Sequence, residues 1–324
     1  MKKRILSGIR PTGKLHLGNL LGAVDNWKKF QSEDAFFMIA DWHALTTEYE
    51  SHCEIRNNVI EVTLDILASG IDPEKCTLFV QSHIKEHAEL GLLLSMITPL
   101  SWLERNPTYK DQIDQLEGKE LHTHGFLGYP VLQAADILLY KANTVPVGED
   151  QLPHLELARE IARRFNHLYK KIFPEPDALL TQVKKLPGTD GRKMSKSYNN
   201  CIYLSDAPEV WSKKVMTMMT DPARKRRNDP GNPDVCPVFV YDKIFNPSVL
   251  EKVNAGCRSG ELGCVDDKKW LVDEMSKFLA PIYEKRKQLE GNKKKVEEIL
   301  MEGAKRARAI AQATLAEAKD AVGI

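Results

Sequence analysis

Apolar residues fall into two alternating patterns along the first two hundred positions. Short apolar runs of strand length occupy 4–9, 35–41, 77–81 and 144–147. Between them, over 17–30, 54–69, 86–97, 125–142 and 151–166, apolar residues recur at the spacing of an amphipathic helix. Strands alternating with helices predict an α/β fold: a doubly wound parallel sheet covered on both faces. Such sheets bind ligands outside the carboxyl ends of their strands, where the strand order reverses. Three polar clusters fall at predicted strand ends: the segment around His16, Asp41-Trp42-His43, and Gly148-Glu149-Asp150-Gln151. Convergence of all three on one edge is what a nucleotide site requires.

Beyond Asn200 the strand pattern stops. Pro222, Pro230, Pro233 and Pro237 mark irregular connections, and 247–324 reads as mainly helical. Lys293–Val322 reads as one alanine-rich helix with Val296, Ile299, Leu300 and Ala307 on one face. The expected division is an α/β domain over 1–200 and a helical domain over 201–324, whose last helix can pack back on the first.

Composition sets limits. With 324 residues, 42% hydrophobic and 28% charged, the chain can bury the cores of two domains. No apolar run approaches the ~18 residues of a membrane span. The basic start, Met1-Lys2-Lys3-Arg4, leads into too short an apolar stretch for a signal peptide. A cytoplasmic location is expected, with the six cysteines as thiols or metal ligands in preference to disulfides. The net charge of +1 gives no hint of nucleic acid. Arg224-Lys225-Arg226-Arg227, Lys285-Arg286-Lys287 and Lys293-Lys294-Lys295 are either phosphate contacts or solvated helix ends.

Two segments carry candidate chemistry. Lys193-Met194-Ser195-Lys196-Ser197 puts two ammonium groups and two hydroxyls on a short stretch, a composition that can wrap a polyphosphate. Pro11-Thr12-Gly13-Lys14-Leu15-His16-Leu17-Gly18-Asn19 lies between a predicted strand and a predicted helix, where backbone N–H groups face an anion. His16 and Asn19, three apart, share a face of the first turn. Asp136 stands among Ala134, Ala135, Ile137 and Leu138, where an unpartnered carboxylate is costly. It either pairs within the domain or serves a ligand.

In this order the two segments resemble the HIGH and KMSKS motifs of class I aminoacyl-tRNA synthetases. Gly128-Tyr129-Pro130-Val131-Leu132-Gln133-Ala134-Ala135-Asp136-Ile137-Leu138-Leu139-Tyr140 and Val145-Pro146-Val147-Gly148-Glu149-Asp150-Gln151 are similar to bacterial tryptophanyl-tRNA synthetases. So is the tail from Gly303-Ala304-Lys305-Arg306-Ala307-Arg308, and the similarity runs from Ser7 to the last residues.

The resemblance implies a Rossmann-type catalytic domain and a helical anticodon-binding domain. It also implies a homodimer acting on tryptophan, ATP with Mg²⁺, and the tRNA for tryptophan. His16, Asn19, Lys193 and Lys196 would stabilise charge building on the phosphates. ATP would lie against Arg10, Pro11, Thr12, Gly18, Asn19, Gly148, Glu149, Asp150 and Val183, and against Lys193, Met194, Ser195, Lys196 and Ser197. Tryptophan would lie against Leu6, Tyr129, Gln133 and Val147, with His43 and Gln151 as further contacts. Asp136 would accept the indole N–H. Gln133 departs from the Met of many bacterial members, and Arg10 from a common Gln.

Some bacterial members hold a four-iron four-sulfur cluster on four cysteines. The matching positions here are Cys236, Cys257, Cys264 and Asp267. Unliganded thiols are the favoured reading. A cluster with an oxygen ligand, a three-cysteine cluster and a zinc site stay open. The alternative functions are a tyrosyl-tRNA synthetase, a nucleotidyltransferase without tRNA, and a synthetase-like regulatory protein that has lost catalysis.

Overall fold

The computed structural model describes residues 3–50, 52–107, 109, 122–180 and 186–324. Five strands form one parallel sheet: β1 (Arg4–Ile9), β2 (Asp34–Ile39), β3 (Thr77–Val80), β4 (Thr144–Val147) and β5 (Asp177–Leu180), in the order β3-β2-β1-β4-β5. β1 pairs with β2 in register from Arg4 opposite Asp34 to Ile9 opposite Ile39, and Ile5 faces Thr144 of β4. The order reverses between β1 and β4, which places a switch point at their carboxyl ends. This is the doubly wound Rossmann-type sheet expected. Four of its strands match the apolar runs, and β5 does not.

Strand side chains alternate between two apolar layers. Ile5, Phe37, Ile39, Leu78 and Val80 enter one, and Leu6, Phe36, Met38 and Phe79 enter the other. The helices α1 (Leu17–Asn19) and α2 (Asp25–Phe30) follow β1, joined by a π-helical turn over Leu20–Val24. The single helix expected over 17–30 is therefore interrupted. After β2 come α3 (Asp41–Glu48) and α4 (Ile55–Ala68). Asp41 starts α3 by accepting the Trp42 N–H at 3.1 Å and the Ser82 N–H at 3.0 Å through Oδ1. Between β3 and β4 lie α5 (Glu86–Ser95), α6 (Leu100–Glu104) and α7 (His124–Leu139), and α8 (Leu152–Leu168) follows β4.

The remainder is helical: α9 (Pro208–Met216), α10 (Pro237–Phe245), α11 (Leu250–Ser259), α12 (Cys264–Glu290) and α13 (Lys293–Val322). The Ile5 layer continues without a break into these helices through Trp211, Val215, Tyr241, Leu271 and Met275. The last helix, α13, packs back on the sheet. Val296 and Leu300 join the Ile5 layer, and Ala304, Ala307, Ala311 and Leu315 join the other. Gly303 makes the crossing possible, since a Cβ there would lie 1.8 Å from the Leu78 carbonyl oxygen. Among the described residues, no helix is long and apolar enough to cross a membrane.

Candidate active site

A cavity of about 310 Å³ opens at the switch point. Leu6, Ser7, Gly8 and Ile9 of β1 line it with Arg10, together with Met38, Ala40, His43 and Thr46. The other side is formed by Phe126, Tyr129, Gln133, Asp136 and Ile137 of α7, by Val145, and by Gln151 and His154. The volume falls at the small end of ligand pockets, suited to one amino acid. Of the residues expected around tryptophan, Leu6, His43, Tyr129, Gln133, Asp136 and Gln151 line this cavity. Val147 is buried beside it in the apolar layer and is not among the lining residues.

Asp136 is 1% exposed and sits in a network of donors. His43 Nε2 lies 2.7 Å from Oδ2, and His87 Nδ1 lies 2.7 Å from Oδ1. Gln81 Nε2 donates to both oxygens at 2.9 and 3.0 Å. Burial alone would raise the acid's pKa, but His87 and His43 beside it hold it down at about 2. The carboxylate therefore stays ionised and acceptor-only. It both pairs within the protein and lines the cavity. Across the cavity, the Tyr129 hydroxyl meets His154 Nε2 at 2.9 Å. Burial lowers His154 to about 4 and pushes the Tyr129 phenol up to about 12, so both are neutral near pH 7.

The two lysine- and histidine-bearing segments meet, and Lys196 is near enough to Arg10, which lines this cavity, to feel its charge. The Leu17 N–H donates to the Ile202 carbonyl at 2.9 Å, and the Leu204 N–H to the Leu15 carbonyl at 3.0 Å. The Lys196 ammonium lies over the turn before His16: a Cβ on Gly13 (φ +115°) would be 3.3 Å from its Nζ. Met194 is buried in the layer with Leu15 and Leu17. His16 caps α1 reciprocally. Its Nδ1 accepts the Asn19 N–H at 3.3 Å, while Asn19 Oδ1 accepts the His16 N–H at 3.1 Å. The ring proton is then on Nε2. Burial, and after it Lys196, lowers His16 to about 4. The pair presents a neutral N–H donor and a cation, a combination suited to phosphate oxygens.

Asn200 clasps the lysine segment. Its Oδ1 accepts the Ser195 N–H at 2.8 Å, and its Nδ2 donates to Asp190 Oδ1 at 2.7 Å and the Lys193 carbonyl at 3.1 Å. Gly188 leaves room for that side chain, since a Cβ there would meet Asn200 Nδ2 at 2.1 Å. Lys193 and Ser197 are exposed, and Ser195 is half-buried. Pro11 is buried, and Thr12, Gly18 and Gly148 are half-buried. Glu149 and Asp150 are exposed in a single turn over Glu149–Gln151 that leads into α8. Val183 lies outside the described residues.

Cys236, Cys257, Cys264 and Asp267 come together with Arg224 around a second cavity of about 20 Å³. That space holds about one water, far less than a four-iron cluster. Arg224 Nη1 lies 3.5 Å from Cys264 Sγ and 3.9 Å from Cys257 Sγ. Burial pushes the Cys236 and Cys257 thiols up, and raises Asp267 to about 6. Among the described residues, no three His, Cys, Asp or Glu side chains are placed to hold a metal ion. In this arrangement the four residues do not fit an iron–sulfur cluster.

Gln81, His87 and His154 were not singled out by the sequence, and Tyr140 only as the end of the segment that carries the family resemblance. Each is one polar residue in or beside an apolar element, and only the tertiary structure joins them to Asp136 or Tyr129. The family described as "tRNA synthetases class I (W and Y)" matches residues 1–280. The tryptophan–tRNA ligase of Thermotoga maritima is 54% identical, covering 99% of each chain. That of Aquifex aeolicus is 48% identical over 99% of this chain and 100% of its own. The solved tryptophanyl-tRNA synthetase of Campylobacter jejuni, complexed with ADP and tryptophan, superposes with a TM-score of 0.89 at 34% identity, covering 99% of this chain and 100% of that one.

Proposed function

The chain belongs to the class I tRNA synthetases for tryptophan and tyrosine, and we propose that it is a tryptophan–tRNA ligase. The observation that carries this reading is Asp136: an ionised, buried acceptor in an amino-acid-sized cavity, next to the His16–Lys196 edge. Indole nitrogen is donor-only, and an acceptor-only carboxylate is its complement. The full-length relatives at 48% and 54% identity are tryptophan ligases, which favours tryptophan over tyrosine.

Tryptophan lies with its indole toward Asp136 and its carboxylate toward the carboxyl end of β1. That carboxylate attacks the α-phosphorus of ATP. The bond to the bridging oxygen breaks, pyrophosphate leaves with the electron pair, and tryptophanyl-adenylate remains. The chain supplies alignment, worth about 7–11 kcal/mol in favourable cases, and charge stabilisation. Lys196 and the His16 Nε2–H meet the phosphate oxygens, joined by Asn19 and the exposed Lys193. Arg10, Pro11, Thr12, Gly18, Gly148, Glu149 and Asp150 frame the nucleotide, and Gln151 and His43 the amino acid. His16, Asn19, Lys193, Ser195, Lys196 and Ser197, the residues assigned to the phosphates, include no carboxylate, which fits Mg²⁺ carried on the triphosphate. When bound, the ion neutralises phosphate charge. In the second step a hydroxyl of the tRNA's terminal ribose attacks the adenylate carbonyl, and AMP leaves.

On this reading 1–200 is catalytic and 201–324 receives the anticodon end of the tRNA. The enzyme acts in the cytoplasm as a homodimer, for which the exposed Leu92, Met96 and Leu100 offer an apolar face. Transfer of labelled tryptophan to the tRNA for tryptophan tests the reading. ATP-dependent charging is expected. Adenylate formation without charging would contradict the ligase assignment.

A further inference from the structure

Asp136 cannot read an indole N–H unless something fixes which oxygen faces the cavity. His43 lines the cavity and meets Oδ2. His87 is fully buried, is not among the lining residues, and meets Oδ1. Oδ2 is therefore the cavity-side oxygen. Gln81 spans both oxygens through Nε2, while its Oε1 accepts the His43 backbone N–H at 3.4 Å.

The chain of contacts continues behind Asp136. His87 Nε2 lies 2.8 Å from the Tyr140 hydroxyl, and Tyr140 is fully buried against Phe36 and Phe79. An ionised carboxylate only accepts, so His87 Nδ1 must carry the proton. In the neutral imidazole Nε2 then accepts, and the Tyr140 O–H donates to it. Tyr140 thereby selects the tautomer of His87 that donates to Oδ1.

From this we infer that His87, held in one tautomer by Tyr140, is a positioning residue for amino-acid specificity: it anchors Oδ1 of Asp136 so that Oδ2 meets the indole N–H. The inference rests on Asp136 being the indole acceptor. His87 does not touch the substrate. Without it the carboxylate loses its strongest inward partner and can turn away from the cavity.

The test compares tryptophan with benzothienylalanine, whose ring sulfur replaces the indole N–H, in ATP–pyrophosphate exchange. His87→Leu should lower the ratio of kcat/KM for tryptophan over the analogue about tenfold, the usual effect of a charge-assisted hydrogen bond. The change should lie mainly in the tryptophan KM, with the ATP KM and the analogue's kinetics unchanged. His87→Asn, whose amide N–H can stand where Nδ1–H stood, should restore most of the ratio. Tyr140→Phe should lower it about threefold, a weaker and indirect loss. Should His87→Leu fail to fold, Tyr140→Phe decides, because it leaves a core of similar shape. An unchanged ratio in folded His87→Leu, or in Tyr140→Phe where His87→Leu does not fold, with the ratio collapsed in Asp136→Ala, overturns the inference and leaves the Asp136 reading standing. Equal losses for both substrates also overturn it, as the mark of a merely structural role. An unchanged ratio in Asp136→Ala overturns the Asp136 reading itself.

Discussion

Lys196 carries charge at a place where it costs something to hold it. Burial lowers its pKa, and its ammonium sits over Gly13 in the turn that leads to His16. Charge on the leaving pyrophosphate grows as the bond breaks, so the lysine should matter most in the transition state. Lys196→Ala should lower kcat for adenylate formation by about 10²–10³-fold and change ATP binding far less. Steady-state exchange kinetics check this, and a pure KM effect would mean that the lysine only anchors ATP. Asp242 has a different consequence. It is fully buried, neither carboxylate oxygen has a hydrogen-bond partner among the described residues, and burial, with Asp267 nearby, raises it to about 8. The unfolded chain loses this proton near ~3.9. Between those values the folded state holds the extra proton, so its stability falls as pH rises. His16 and His154, both lowered to about 4, act in the opposite sense: their stability is lost as pH falls from ~6.5 toward 4. Asp242→Asn removes only the first effect. Its Tm advantage over wild type should grow from about pH 5 to about pH 8, measured by calorimetry, and a pH-independent difference would contradict the account. Asp136 stands out because it interrupts an apolar pattern, His43 and Gln151 because they stand at predicted strand ends, and Tyr129 and Gln133 through the family resemblance; all five line the cavity. His87 left no mark, since a buried partner of a buried acid need not stand out in its own segment, and Tyr140 entered only as the end of the segment that carries the resemblance.

At the scale of elements, apolar runs named four strands because central parallel strands are buried on both faces. β5 escaped because it is a short edge strand with exposed Asp177 and Leu180 at its ends. Asp41-Trp42-His43 was placed at a strand end, where it also opens α3. The π-helical turn at Leu20–Val24 has no counterpart in spacing alone. The need for glycine at 188 is set by the Asn200 side chain, which spacing does not show. One link between elements is strong enough to measure. Asp65 of α4 is fully buried. It accepts the Leu15 N–H at 2.9 Å and the Arg286 Nε–H of α12 at 2.6 Å. Burial pushes this acid up, against Arg286 and the Leu15 amide. Arg286 also pairs with Glu61 and Glu290. Arg286→Ala leaves a buried carboxylate unpaired, at a cost of about 3–5 kcal/mol. Urea unfolding should show that loss, and exchange should weaken because Leu15 precedes His16. A loss below ~1 kcal/mol, within the range of surface pairs, would contradict the role given to this link.

The whole molecule holds the motifs together through shared packing. Its Ile5 layer runs from the sheet into α9–α12, and α13 returns across β3 at Gly303. The hydrophobic pattern located the α/β half, the helical half and the long last helix, because each is a matter of period and length. It did not show that the halves share one apolar layer, which depends on which faces meet. The same folding brings residues 202–204 beside Leu15 and Leu17, and puts Lys196 near enough to Arg10, which lines the Asp136 cavity, to feel its charge. A cavity of about 310 Å³ with one ionised acceptor should select one amino acid. The most direct test is ATP–pyrophosphate exchange with each of the twenty amino acids in turn. Tryptophan alone should support rapid exchange, and Asp136→Ala should raise its KM. Preferential exchange with tyrosine, or none with any amino acid, would contradict the account.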